Sequence, residues 1–292
     1  MAYRHIEVKP LAGACGAELF GADLARPLDD EVVAEIRRAF LDHLIVVFRD
    51  QTLTPEEHVA LARRFGTPER HPMVRAVEGH PEIIAVTKLE HETANFGGIW
   101  HYDLTFQAKP AIGSLLYALE TPSHGGDTLF ANQYLAYETL SDGLKTVLED
   151  LDTVHTNRAW APREAYGAHR SIKLYQDDWQ ELEAVHPAVT AHHETGRKAL
   201  FVNSNSSMRF AGWTEEESRP LLAHLAHHAT RPEFTCRVRW QPGTLVFWDN
   251  RCAMHYAIND YHGRRRVLHR VSIGGERMPS RIAQPLHEGK AA

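Results

Sequence analysis

The sequence predicts a mainly β fold with flanking helices, a jelly-roll barrel. Three observations carry this: many short apolar strands, only a few amphipathic helices, and no linker, repeat or low-complexity stretch dividing the 292 residues. The expected organisation is a single domain over 1–292. It includes a lid or binding loop at about 157–184 and a short C-terminal tail.

Ile6–Leu11 and Ala17–Leu19 read as strands broken by the Gly13–Gly16 turn. From Pro27 a helix begins, because Val32, Val33, Ile36 and Phe40 recur near the helical period. Leu44–Phe48 is continuously apolar and suits a buried strand. Thr54-Pro-Glu-Glu57 has the N-cap, first-turn proline and third-position acid of a helix start. That helix runs to about Phe65, where Gly66 stops it. Ile83–Val86 is a strand, Asn95–Gly98 a loop, Ile99–Phe106 extended and Ile112–Leu119 a strand. Thr128–Phe130 is extended, and Leu135–Leu151 is expected as one helix. The polar, aromatic, non-periodic run from Asn157 to about Ala184 has the length of a lid. Ala188–His192 and Ala199–Asn203 are strands, and a second capping box at Thr214 opens a helix to about His228. Cys236–Trp240, Leu245–Trp248, Met254–Ala257 and Arg265–Ile273 complete the strands.

A formal charge of −6 disfavours a nucleic-acid partner, whose affinity rests on clustered Lys and Arg. Cys15, Cys236 and Cys252 form no CxxC pair, so neither a disulfide framework nor a thiolate zinc site is expected. Reduced thiols and an N-terminus without an apolar run point to a cytoplasmic protein, and no membrane span is expected.

Chemistry first shows at Trp100-His101-Tyr102-Asp103. On an extended chain, positions i and i+2 share a face, so His101 and Asp103 could bind one ion. Imidazole plus carboxylate suits Fe(II), Mn(II) or Zn(II). HxD alone is weak, since a surface histidine beside a loop aspartate is the commoner case. His255 follows an apolar strand and a polar turn; by itself it reads more often as a hydrogen-bonded core histidine than as a ligand. Arg266 and Arg270 then share one strand face with Leu268 between them. Two guanidinium groups aimed into a barrel are costly unless an anion meets them, although surface carboxylates could equally pair them.

Taken in order, several motifs resemble the TauD/TfdA family of Fe(II)- and 2-oxoglutarate-dependent dioxygenases. They are Gly16-Ala-Glu-Leu-Phe-Gly-Ala-Asp-Leu24, Arg63-Arg-Phe-Gly66, Trp100–Phe106, Gly125-Gly-Asp-Thr-Leu129, Ala199-Leu-Phe-Val-Asn203, Trp248-Asp-Asn-Arg251 with His255, and Arg265–Arg270. The resemblance implies a double-stranded β-helix, cupin-like, with His101, Asp103 and His255 as a facial triad for Fe(II). It implies that Arg266 and Thr128 hold the distal carboxylate of 2-oxoglutarate, with O2 as the other co-substrate. Products would be succinate, CO2 and a hydroxylated substrate, and Asp103 favours hydroxylation over halogenation.

The family position of Arg270 binds a sulfonate or carboxylate, so the expected substrate is a small organic anion, with His71, Asn95 and Leu104 as further contacts. Sulfonates, sulfate esters and carboxylates, including aryloxy acids, fit, and hydroxylation beside a heteroatom would cleave the C–S or C–O bond. Met73-Val74 after His71-Pro72, and Ser206 after the Phe201 motif, depart from the taurine enzyme. Tyr102, Trp160 and Tyr166 are further lining candidates. The family also implies a homo-oligomer, dimer or tetramer. The rival readings are a non-catalytic metal- or ligand-binding barrel, a metal-dependent hydrolase using the same three ligands, and a nucleic-acid demethylase.

Overall fold

Among the described residues the strands assemble into four sheets, two of which close on one another as a barrel. The computed structural model describes residues 2–158, 171–175, 180–203 and 205–282. In chain order the elements begin with Glu7–Pro10 (β1), Ala17–Phe20 (β2), Asp30–His43 (α1), Ile45–Phe48 (β3), Pro55–Arg63 (α2), Pro68–Glu69 (β4), Ala76–Val77 (β5) and His80–Lys88 (β6). Gly113–Glu120 (β7), Thr128–Asn132 (β8), Gln133–Glu138 (α3), Asp142–Asp150 (α4), Asp152–Thr156 (β9), Glu183–Pro187 (β10), Val189–Ala191 (β11) and Lys198–Leu200 (β12) follow. Ser207–Phe210 (β13), Glu215–Ala229 (α5), Thr235–Val238 (β14), Leu245–Asp249 (β15), Ala253–Ala257 (β16) and Arg266–Ile273 (β17) come last.

The larger sheet runs β1-β2-β3-β15-β7-β17-β6-β5, with β4 joined to β17, and β14-β8-β16 forms a smaller sheet. Neighbours far apart in sequence, such as β3 beside β15, give the wound order of a jelly roll. Phe130 and Val238 of the small sheet pack with Val86, Leu116, Val246 and Leu268 of the large one, and fill the barrel. Outside it, Ile36, Ala39 and Phe40 of α1 join Val46 and Phe247 in a second core, where Phe40 stacks on Phe247 at 4.0 Å. Burying each ring contributes about 2 kcal/mol. Strand β3 is buried along its whole length because both its faces are packed, Val46 and Phe48 in the outer core and Ile45 and Val47 in the barrel, which explains its unbroken apolar run.

The Thr54 capping box forms as expected: its hydroxyl accepts from Glu57 N at 3.2 Å, and Glu57 Oε2 accepts from Thr54 N at 2.8 Å. The expected Leu135–Leu151 helix is instead two, α3 and α4. Asn132 caps the first, and Ser141 restarts the second by accepting from Leu144 N. Strands β9, β10 and β13 form a separate sheet that the sequence does not announce, with β10 beginning at the end of the expected lid. Of that lid, Leu174 bridges Val74, and Tyr175 N donates to Met73 O at 2.9 Å. Trp160 and Tyr166 lie outside the described residues, as does most of the tail. Among the described residues no helix is long and apolar enough to cross a membrane.

Candidate functional site

His255 lies mid-strand in β16 and points into the barrel, because β16 alternates against β8. His101 is tied to it by a two-way bridge, His101 N to His255 O at 3.0 Å and His255 N to His101 O at 2.9 Å. The expected extended segment Ile99–Phe106 forms only this bridge, and Leu104 adopts a left-handed φ of 54°. Alternation along a strand therefore does not bring Asp103 to His101. Asn250 does so instead: its Oδ1 accepts from Asp103 N at 2.8 Å, and its Nδ2 donates to Asp103 O and Ala111 O, both at 2.9 Å. The turn carrying Asn250 is itself pinned, since Arg251 donates to both oxygens of Asp249 and to Glu194. His192 also reaches Asp249 at 3.0 Å, so the second His–Asp–Cys grouping, His192, Asp249 and Cys252, has its carboxylate fully engaged.

The buried ligand atoms of His101, Asp103 and His255 lie within 4.8 Å of one another. Asp103 Oδ1 stands 3.8 Å from His101 Nε2 and 3.9 Å from His255 Nε2. His101 Nδ1 pairs with Ile99 O at 2.7 Å, which places the proton there and leaves Nε2 as a lone pair facing Asp103. Burial lowers the pKa of both imidazoles, so they are neutral as ligation requires. Burial alone would raise Asp103; the Arg270 guanidinium, the largest opposing influence, holds the carboxyl well below the usual range. Two neutral imidazoles and one carboxylate are a donor set for a divalent transition metal. Gly97, at φ 79°, lets the preceding loop lie on His101, where an added Cβ would sit 3.1 Å from the ring.

Beside the cluster lies a cavity lined by His101, His255, Thr128, Phe130, Arg266 and Arg270. Arg266 is buried, and its Nε and Nη2 have no hydrogen-bond partner among the described residues. Its guanidinium sits 5.5 Å from the Trp240 ring and 5.9 Å from that of Tyr261. Thr128 Oγ1 accepts from Trp240 Nε1 at 2.9 Å, which leaves the hydroxyl proton free to donate. A buried planar cation beside a hydroxyl free to donate offers a set of donors for a carboxylate, so these residues fit the distal end of 2-oxoglutarate. Lys88 stands opposite Arg266 in register, buried over the Tyr261 ring at 4.6 Å and outside the cavity lining.

A second cavity, lined by His71, Met73, Leu104, Phe106, Ser206 and Arg270, has Asp103 in its wall and shares His101 and Arg270 with the first. His71 Nδ1 accepts from Met73 N and Val74 N at 3.1 and 2.9 Å, so the ring proton resides on Nε2. Burial pushes His71 down to about 3, and it is a neutral donor. Arg270 Nη1 donates to Asp103 Oδ1 at 2.9 Å. Asn95 lines neither cavity; it donates to Ala257 O at 2.9 Å and fastens its loop to β16. Tyr102 also lines this second cavity, while its hydroxyl bonds Leu200 O. The sequence reading passed over Asn250, Ser114, Lys88, Trp240 and Tyr261. The WDNR run signalled Asn250, whereas the others show only once strands from distant segments meet.

The family model for taurine catabolism dioxygenase TauD, TfdA family, matches residues 7–272. An alkylsulfatase of Acinetobacter baylyi is 38% identical over 280 residues, covering 94% of this chain and 86% of that protein. An alpha-ketoglutarate-dependent sulfate ester dioxygenase of Pseudomonas putida is 34% identical over 277 residues, covering 93% of this chain and 90% of that one. The crystal structure of a taurine dioxygenase from Burkholderia xenovorans superposes with a TM-score of 0.80 at 38% identity, over 94% of this chain and 93% of that one. With its jelly roll, its His–Asp–His cluster and a match along nearly its whole length, the chain belongs to the TauD/TfdA family of 2-oxoglutarate-dependent dioxygenases.

Proposed function

We propose that the protein hydroxylates a small sulfate ester or sulfonate bearing an apolar chain. The observation that carries this is one cavity holding both a buried cation and an apolar wall beside the metal cluster. Arg270 and the neutral His71 would take the anionic head, and Met73, Leu104 and Phe106, packed with Leu182, would take the chain. The nearness of two sulfate-ester-processing relatives, and the departures at Met73 and Ser206, favour a sulfate ester over taurine.

His101, Asp103 and His255 would hold iron(II), and Arg266 with Thr128 would hold the distal carboxylate of 2-oxoglutarate. When bound, the iron with 2-oxoglutarate and O2 supplies the oxidising power that turns a substrate C–H into C–OH, giving succinate and CO2. Arg270 touches Asp103, so an anion on it presents the carbons nearest its head to the metal side. Phe96 and Phe130 line the cavity walls and exclude water. Hydroxylation at the carbon bearing the ester oxygen would give R–CH(OH)–OSO3−. This collapses to an aldehyde and hydrogen sulfate, the hydroxyl proton ending on the departing sulfate. We also propose a single-domain homo-oligomer of the cytoplasm; three free cysteines suit a reducing compartment.

The test is to supply short and medium alkyl sulfates and alkyl sulfonates with Fe(II), 2-oxoglutarate and O2, and to measure succinate, aldehyde and sulfate or sulfite. Equal yields that require all three additions support the reading. Sulfate released without O2 would instead assign the site to a hydrolase.

A further inference from the structure

We propose that Arg270 couples the metal site to the anion site, so that a divalent cation and an anionic substrate each tighten the other's binding. This rests on the anion-binding role given to Arg270 above. Arg270 lines both cavities and also bonds a residue of the metal cluster. The oxygen it holds, Asp103 Oδ1, is the one facing both imidazoles, at 3.8 and 3.9 Å. The other oxygen, Oδ2, takes the Ser114 hydroxyl at 3.2 Å. A metal and Arg270 therefore draw on the same negative charge.

The charges nearby offer Arg270 little else. Its side chain is buried, and Nε has no partner among the described residues. His71 is neutral, and burial raises Glu69 to about 7, which makes it a weak counter-charge at neutral pH. Without a cation, Asp103 and Arg270 neutralise one another. A cation on Oδ1 leaves the guanidinium short of negative charge in a buried setting, where an uncompensated ion is costly. An anion in the second cavity restores the balance. Linkage makes the effect reciprocal: whatever factor the metal adds to anion affinity, the anion adds to metal affinity.

Mn(II) binding to the full chain can be followed by calorimetry without 2-oxoglutarate, with and without saturating hexyl sulfate, and with 1-hexanol as the uncharged control. Hexyl sulfate should tighten Mn(II) about tenfold and hexanol should leave it unchanged. In Arg270→Gln, Mn(II) should still bind and the hexyl sulfate effect should shrink below about twofold. If hexyl sulfate binds the wild-type protein in its own titration yet Mn(II) affinity does not move, the coupling is overturned and the functional reading stands. An undiminished effect in Arg270→Gln also overturns it. A wild-type protein that binds no hexyl sulfate removes both the coupling and the sulfate-ester reading. The wild-type comparison decides the matter even if the variant does not fold.

Discussion

Replacing Arg266 with methionine should separate the stability of the fold from its affinity for 2-oxoglutarate. The guanidinium is buried with Nε and Nη2 unpartnered, so both are available to the two oxygens of a carboxylate. Two hydrogen bonds to a charged acceptor at about 1.5–3 kcal/mol each come to about 3–6 kcal/mol. At 1.4 kcal/mol per factor of ten, Arg266→Met should weaken 2-oxoglutarate roughly a hundred- to ten-thousand-fold. Without co-substrate the balance differs. The variant removes an unpaired buried cation, which is favourable, and loses the ring contacts to Trp240 and Tyr261, which contribute about 0.5–1 kcal/mol each. These offset, so the ligand-free variant should unfold within about 2 °C of the wild type. Thermal unfolding of the Mn(II)-loaded protein, with and without 2-oxoglutarate, reads both quantities. At a hundred times its Kd the ligand should add about 2.7 kcal/mol to the wild type, and at that same concentration almost nothing to the variant. A variant that binds 2-oxoglutarate within about threefold of wild type would refute the assignment. So would a ligand-free variant less stable by about 3 kcal/mol, which would make Arg266 a structural cation.

His255→Ala should abolish stoichiometric Mn(II) binding and turnover while leaving the circular dichroism spectrum unchanged; retained tight binding would remove His255 from the ligand set. Asp103→Ala should also lose the metal, and should cost about 3 kcal/mol in chemical unfolding because it strands Arg270 without its partner. Asn250→Ala leaves the Asp103 N–H and two carbonyls unsatisfied, so it should cost about 3 kcal/mol and weaken Mn(II). Unchanged metal affinity there would show that Asp103 keeps its place by other means. His58 and His71 are both pushed by burial from 6.5 to about 3. The unfolded chain takes up those protons first, so stability is full above about pH 6.5 and falls toward pH 3, by about 3 kcal/mol per pH unit from the pair. Urea unfolding of the metal-free protein at pH 7 and pH 5 measures this, and equal stabilities would count against two neutral buried imidazoles.

What the sequence makes legible follows from how local each cause is. The β3 run and the Thr54 and Thr214 boxes are local, and all formed where they were expected. The face shared by Arg266 and Arg270 is a matter of alternation within one strand, and both are buried while Val267 and His269 are not. The break between α3 and α4 was missed because Leu135–Leu151 keeps an apolar period across it, and only the Ser141 cap marks the restart. The β9–β10–β13 sheet was missed because its strands are short and pair across long separations, so no single window shows them. The site divides along the same line. His101, Asp103 and His255 are visible as residue types in order, but the reason they converge is not. HxD on a strand would place both side chains on one face, yet this chain leaves the strand after His101. An asparagine nearly 150 positions away holds Asp103 in place. That asparagine sits on the β15–β16 turn, which crosses from the large sheet to the small one and leads directly into His255, so a single connection delivers one ligand and fixes another. Substitutions at Asn250 should therefore act on the metal without emptying either apolar core, since Asn250 belongs to neither, whereas its neighbour Cys252 does pack in the barrel core.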